Sequence, residues 1–110
     1  MTKTTPNVRR NQLWLADCDQ PLCTLNSDAW FAWLTDATRF RYHSRATILV
    51  SRHFSRPMVA ISVRLEPRRR GALWYAYRRV DRILHKRYVG TSAALTTARL
   101  DSIATELNLL

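Results

Sequence analysis

Leu73-Trp74-Tyr75-Ala76-Tyr77-Arg78-Arg79-Val80, then Asp81-Arg82, then Ile83-Leu84-His85-Lys86-Arg87-Tyr88-Val89-Gly90 is the stretch whose reading decides the fold. Two runs rich in aromatic and β-branched residues stand either side of a two-residue gap, which is β-hairpin spacing. Arg82 is a poor residue for a position needing positive φ, so the turn type stays open. Pairing Val80 with Ile83 sets Arg79 opposite Leu84, Arg78 opposite His85, Tyr77 opposite Lys86, Ala76 opposite Arg87 and Tyr75 opposite Tyr88. Because successive side chains point to opposite faces, one face carries Trp74, Ala76, Arg78, Val80, Ile83, His85, Arg87 and Val89. The other carries Leu73, Tyr75, Tyr77, Arg79, Leu84, Lys86 and Tyr88. The tyrosine- and leucine-rich face is expected to lie under a helix, leaving Arg78, His85 and Arg87 outward. Exposure of Arg79 and Lys86 would mark the reverse arrangement.

Upstream, Val59, Ile61, Val63 and Leu65 alternate with Ala60, Ser62, Arg64 and Glu66, which predicts a half-buried strand. Val63 and Ile61 are expected inward, so Arg64 and Ser62 join the basic face. Pro67-Arg68-Arg69-Arg70-Gly71 reads as a turn carrying three positive charges. Phe40 and Tyr42 alternate with Arg39, Arg41 and His43 as a short strand, and Ala46–Phe54, with Ile48-Leu49-Val50, predicts another before Pro57 interrupts. Asn26 or Ser27 caps a helix that Asp28 suits in its first turn, with Trp30, Phe31, Trp33, Leu34 and Ala37 as its apolar face. The large buried area of tryptophan assigns Trp30 and Trp33 to the core rather than to a ligand platform. After Gly90, Leu95, Thr96 and Leu100 form a staple and cap, and Leu100, Ile103, Ala104, Leu107 and Leu110 fall on one helical stripe.

The expected fold is therefore α+β: a small antiparallel sheet of three or more strands, with an N-terminal helix and a C-terminal helix packed on one face. Residues 1–23 are expected to be a flexible basic arm and irregular lead-in, and residues 24–110 a single α+β nucleic-acid-binding domain.

The chain has 110 residues, enough for one modest core, and a net charge of +10. Residues 39–99 hold fifteen basic side chains and two acidic ones, Glu66 and Asp81. That density repels itself in a compact state unless a polyanion offsets it. Sixteen of the eighteen cations are arginine, whose fork suits phosphates and guanine edges. Gly71 and Gly90 are the only glycines, and both phosphate-binding glycine motifs are absent, which argues against a nucleotide-dependent enzyme. No cofactor is expected. Cys18 and Cys23 have no second pair, and His43, His53 and His85 lack zinc-ligand spacing, so no metal is expected either. Two free thiols, a polar N-terminus without a signal-peptide apolar region and no apolar run near ~20 residues predict a cytoplasmic protein without a membrane partner.

The predicted nucleic-acid contacts are Arg64, Arg78, His85 and Arg87 on the sheet, Lys86 and Arg82 beside them, and Arg68, Arg69 and Arg70 at the turn. A flat arginine-lined sheet of about three strands can enter the major groove, while turn arginines hold phosphates and set register.

The pieces Trp74-Tyr75-Ala76-Tyr77-Arg78-Arg79-Val80, Leu84-His85-Lys86-Arg87-Tyr88-Val89-Gly90 and Leu95-Thr96-Thr97-Ala98-Arg99-Leu100, with Ser27 to Leu34 upstream, resemble a small bacterial module. These pieces look like the segment preceding the NTPase in some LuxR-type regulators of the MalT class, and also resemble short stand-alone proteins of cyanobacteria and Chloroflexi. The stretch from Tyr88 to Leu100 more distantly resembles the arm-type DNA-binding domain of tyrosine recombinases, which set a three-stranded sheet and a helix on DNA. The resemblance implies DNA binding in transcription regulation or mobile-element biology. It covers roughly residues 24–107, with Arg82 where the module usually has glycine.

The leading expectation is a non-catalytic double-stranded DNA-binding protein. One alternative is an RNA-binding or ribonucleoprotein subunit, for which Trp74, or Tyr75 and Tyr77, would be exposed and stack on bases; buried aromatics would favour duplex DNA. The other is an adaptor docking an acidic protein within a larger complex. An enzyme would have to gather Tyr88 with Arg78, Arg87 and His85 for strand transfer, a grouping common by chance in so basic a hairpin.

Overall fold

The computed structural model describes residues 5–16, 18–69 and 71–110. In chain order, β1 (Asn7–Arg9), β2 (Gln12–Trp14) and β3 (Cys23–Thr24) precede α1 (Asp28–Leu34). Then come β4 (Arg39–Tyr42), β5 (Thr47–Ser51), β6 (Phe54–Pro57), β7 (Ile61–Glu66), β8 (Leu73–Val80) and β9 (Ile83–Gly90), followed by a 3-10 turn (Ser92–Ala94) and α2 (Thr97–Asn108). Seven strands form one sheet in the order β3-β2-β1-β4-β7-β8-β9, and β5 and β6 make a separate two-stranded ribbon. The β1–β4 pair is parallel and the other neighbours are antiparallel. The class is α+β as the patterning predicts, but the sheet is larger and mixed.

The β8–β9 hairpin has the register read from its sequence, from Val80 opposite Ile83 to Tyr75 opposite Tyr88. A bulge then sets Trp74 opposite Gly90. Asp81 and Arg82 both adopt positive φ, 50° and 71°, as a tight two-residue hairpin turn demands. In α1, Ser27 is the cap and its side chain accepts from the Trp30 N–H. In α2, Thr96 caps by accepting from the Arg99 N–H, and Leu95 and Leu100 are both fully buried as a staple. Leu100, Ile103, Ala104 and Leu107 face the core, while Leu110 is exposed.

Both helices lie on one face of the sheet. Trp30, Trp33, Phe40 and Trp74 form a chain of ring contacts at 5.3–6.2 Å, and the Trp30 indole donates to the Leu95 carbonyl at 2.7 Å, tying α1 to the entry of α2. Asn108 is a buried polar anchor at the end of α2. Its Oδ1 accepts from the Val59 N–H and its Nδ2 donates to the Val59 and Ala104 carbonyls.

Three expectations need correction. The lead-in is not all flexible arm, because Asn7–Arg9 and Gln12–Trp14 are strands and Val8 and Leu13 are fully buried. Arg10 and Asn11, at φ 54° and 62°, turn that hairpin, and asparagine tolerates the left-handed region. The predicted strand Ala46–Phe54 covers β5 but stops at Ser51, Arg52-His53 form a turn, and Phe54 opens β6, which runs on to Pro57; both strands belong to the ribbon rather than to the main sheet.

The third correction concerns the faces. Trp74, Ala76 and Val89 are buried beneath the helices together with Val63, Ile61 and Phe40. Tyr75, Tyr77, Arg79, Lys86 and Tyr88 therefore lie on the opposite, open face, reversing the expected assignment. Ala76 lets a helix approach closely where tyrosine would not, while on the open face the Tyr75 hydroxyl accepts from Arg68 Nε at 3.2 Å and the Lys86 ammonium donates to Glu66 at 3.0 Å. Arg78 and Arg87 are tolerated on the helix side because they reach the end of α2. Arg78 Nη1 donates to the Leu107 carbonyl at 2.9 Å, and Arg87 Nε pairs with Glu106 at 2.7 Å.

Candidate nucleic-acid interface

The pairing of the central strands organises the open face into two ladders. One runs Arg39, Arg64, Tyr75, Tyr88 across β4, β7, β8 and β9. The other runs Arg41, Ser62, Tyr77, Lys86, with Asn7 of β1 beside Arg41. Each ladder thus passes from arginine at the centre of the sheet to tyrosine near the β9 edge. Arg79 stands beyond the second ladder, opposite Leu84. On β1, Arg9 lies over the Trp14 ring at 5.4 Å.

Cations and rings are interleaved. Arg64 sits 5.0 Å from the Tyr77 centroid, Arg68 4.7 Å from Tyr75, and Lys86 4.2 Å from Tyr75. Tyr75 and Tyr88 meet edge to face at 5.6 Å. Such contacts hold flexible cations in place over apolar surface. Glu66 is the only carboxylate within β4, β7, β8 and β9. It accepts from Lys86 Nζ at 3.0 Å and Arg68 Nη2 at 2.9 Å, bonds that hold its carboxyl below the usual carboxylate range. His43 bonds Asn7 at 3.0 Å, and burial, with Arg41 and Arg9 nearby, lowers its basicity. A shallow groove of ≈ 390 Å³ crosses the face, lined by Arg41, Ser62, Arg64, Tyr77 and Arg79, with Val59 and Ala60 also on its wall.

The predicted contact residues are divided by the fold. Arg64 and Lys86 lie on the open face, with Arg68 stacked against it. Arg69 is exposed in the turn, and Arg70 lies outside the described residues. Arg82 is exposed at the hairpin tip. Arg78, His85 and Arg87 are half-buried on the helix side. Tyr88 is consequently on the opposite face from Arg78, His85 and Arg87, so the fold does not bring the strand-transfer grouping together.

Sequence reasoning left Arg39 and Arg41 out of the site and placed Arg79, Tyr75, Tyr77 and Tyr88 outward only in its alternative arrangement, whose mark, exposure of Arg79 and Lys86, the fold meets. The parity of β7 was legible, with Arg64 outward and Val63 inward. What sequence lacked was the pairing across the Pro67–Gly71 turn, where Glu66 meets Leu73 and Arg64 meets Tyr75. A slip of one residue there moves every β8 side chain to the other face.

Among the described residues, no three His, Cys, Asp or Glu side chains gather where they could hold a metal ion, and no helix is long and apolar enough to cross a membrane. Cys18 is exposed and Cys23 half-buried, both free thiols. No family model, no curated protein and no solved structure matches the chain.

Proposed function

We propose that the open sheet face binds a single strand of nucleic acid. The observation that carries this reading is the pair of ladders that set Tyr75, Tyr77 and Tyr88 beside Arg39, Arg41, Arg64 and Lys86 on the face away from both helices. Single strands expose the flat faces of their bases, and tyrosine rings and guanidinium planes offer matching stacking surfaces. Phosphates between the stacked bases meet Arg39, Arg41 and Arg79. A duplex hides its base faces, so it would use the cations and leave the tyrosines idle. Tyr88, 52% exposed, with the half-buried Tyr75 and Tyr77 on the same face, favours this reading over the double-stranded DNA binding expected from sequence.

The test is fluorescence anisotropy with labelled single-stranded DNA, single-stranded RNA and duplex DNA, titrated against salt. If Arg39, Arg41, Arg64, Arg79 and Lys86 each neutralise a phosphate, log K should fall against log salt with a slope of about −3.5. Tighter binding of either single strand than of the duplex supports the proposal. Binding of duplex alone returns the protein to groove or backbone recognition. Affinity that ignores salt contradicts any polyanion partner.

A further inference from the structure

The β5–β6 ribbon carries apolar side chains that the fold does not use. Leu49, Val50 and Phe54 are 75%, 56% and 59% exposed. The other side of the ribbon is anchored. Ile48, opposite Arg56, is half-buried, and Arg56 Nη2 donates to the Asn108 carbonyl at the end of α2. The bulge between Leu49 and Ser51 leaves Val50 without a partner across the ribbon. An anchored ribbon with an unburied apolar tip is costly to keep in water unless something covers the tip.

Two observations indicate what covers it. The first is charge. From Ala37 to Leu65 the chain holds Arg39, Arg41, Arg45, Arg52, Arg56 and Arg64, together with His43 and His53, and no carboxylate. An acidic polymer is complementary to that whole stretch. The second is continuity. Val59 and Ala60, just after β6, share a wall of the open-face groove with Arg41, Ser62 and Tyr77, so the root of the ribbon borders the proposed strand site.

We infer that the ribbon tip caps a duplex end, making the protein selective for junctions where a single strand leaves a duplex. This inference rests on the single-strand reading of the open face. In this arrangement the departing strand lies along the tyrosine ladders. Leu49, Val50 and Phe54 cover the apolar face of the terminal base pair, and Arg45 and Arg52 meet the flanking phosphates. Apolar wedges set among cations are a general means of holding opened base steps.

The experiment compares the affinity of the full chain for a short single strand with that for the same strand extending from a duplex, using wild type, a Leu49→Ser/Val50→Ser/Phe54→Ser variant and Tyr88→Ala. All four positions are exposed, so thermal melting should show the variants folded. The wild type is expected to bind the junction about tenfold more tightly than the strand, a margin set by the apolar area of the tip. The tip variant is expected to lose that preference while keeping its affinity for the single strand. Equal wild-type affinity for strand and junction, or an undiminished preference in the tip variant, overturns the inference while leaving the open-face reading intact. Unchanged strand binding by Tyr88→Ala instead breaks the open-face reading on which it rests. Tip-dependent binding to anionic phospholipid vesicles without any junction preference would assign the ribbon to a lipid surface and likewise overturn it.

Discussion

Replacing Tyr88 with alanine separates the open face from the helix side with one change. Tyr88 is 52% exposed on the edge strand β9 and touches Tyr75 edge to face at 5.6 Å. Alanine scanning of base-stacking aromatics costs about 1–3 kcal/mol per base. Tyr88 ends its ladder, so the lower part of that range applies, about 1.4 kcal/mol or a tenfold rise in Kd. The folded state loses little, since half of the ring is already in water. Loss of the ring pair should cost about 0.5–1 kcal/mol, or roughly 3–6 °C in Tm. The assay is anisotropy on a labelled single strand at fixed salt, with a thermal melt of each variant. Arg87→Ala is the matched control. It removes one charge from the same strand, but its guanidinium is on the helix side, paired with Glu106 at 2.7 Å. Its Kd should stay within about twofold of wild type, because loss of a phosphate contact is what moves binding appreciably. Wild-type affinity in Tyr88→Ala together with a large loss in Arg87→Ala would refute the face assignment as the basis of binding.

Three further outcomes concern the fold. Arg82 holds φ 71°, so Arg82→Gly should relieve left-handed strain and raise stability by about 0.5–1 kcal/mol in a denaturant melt. Asn108→Ala removes the partner of the part-buried Val59 N–H and carbonyl, which should cost about 1–3 kcal/mol and raise hydrogen exchange at Val59. The His43 imidazole is less basic in the folded state, through burial first and then Arg41 and Arg9, so the unfolded chain binds that proton more readily. Its contribution to stability is therefore complete above pH 6.5, the unfolded value, and declines as pH falls from there through the lower folded value. Melting of His43→Gln against pH should be flatter than wild type across that window.

Local pattern made much of this fold legible. The two-residue gap fixed the β8–β9 register, the Ser27 and Thr96 caps marked where helices begin, and the alternation of Phe40 with Arg39 and Arg41 marked β4. Those signals act over a few residues, where propensity and periodicity are strongest. The N-terminal hairpin escaped notice because its strands have three residues each and its turn is Arg10-Asn11 rather than Asn-Gly. The parallel β1–β4 pairing is a long-range contact with no local signature. The site was legible as a concentration of arginine, but not as a face. Tyr75, Tyr77, Arg78 and Arg79 put aromatics and cations on both sides of β8, so only its pairing with β7 decides which set meets water. Arg78 and Arg87 further blurred the pattern, since the carbonyl of Leu107 and the carboxylate of Glu106 give them partners at the helix end.

The most direct test of the open-face claim is an NMR titration of the protein with a short single strand, observing aromatic side-chain resonances. The rings of Tyr75, Tyr77 and Tyr88 are expected to shift progressively as bases stack on them, while Trp30 and Trp74, fully buried beneath the helices, stay in place. Shifts confined to His85 on the helix side, with the three tyrosines unmoved, would contradict the claim.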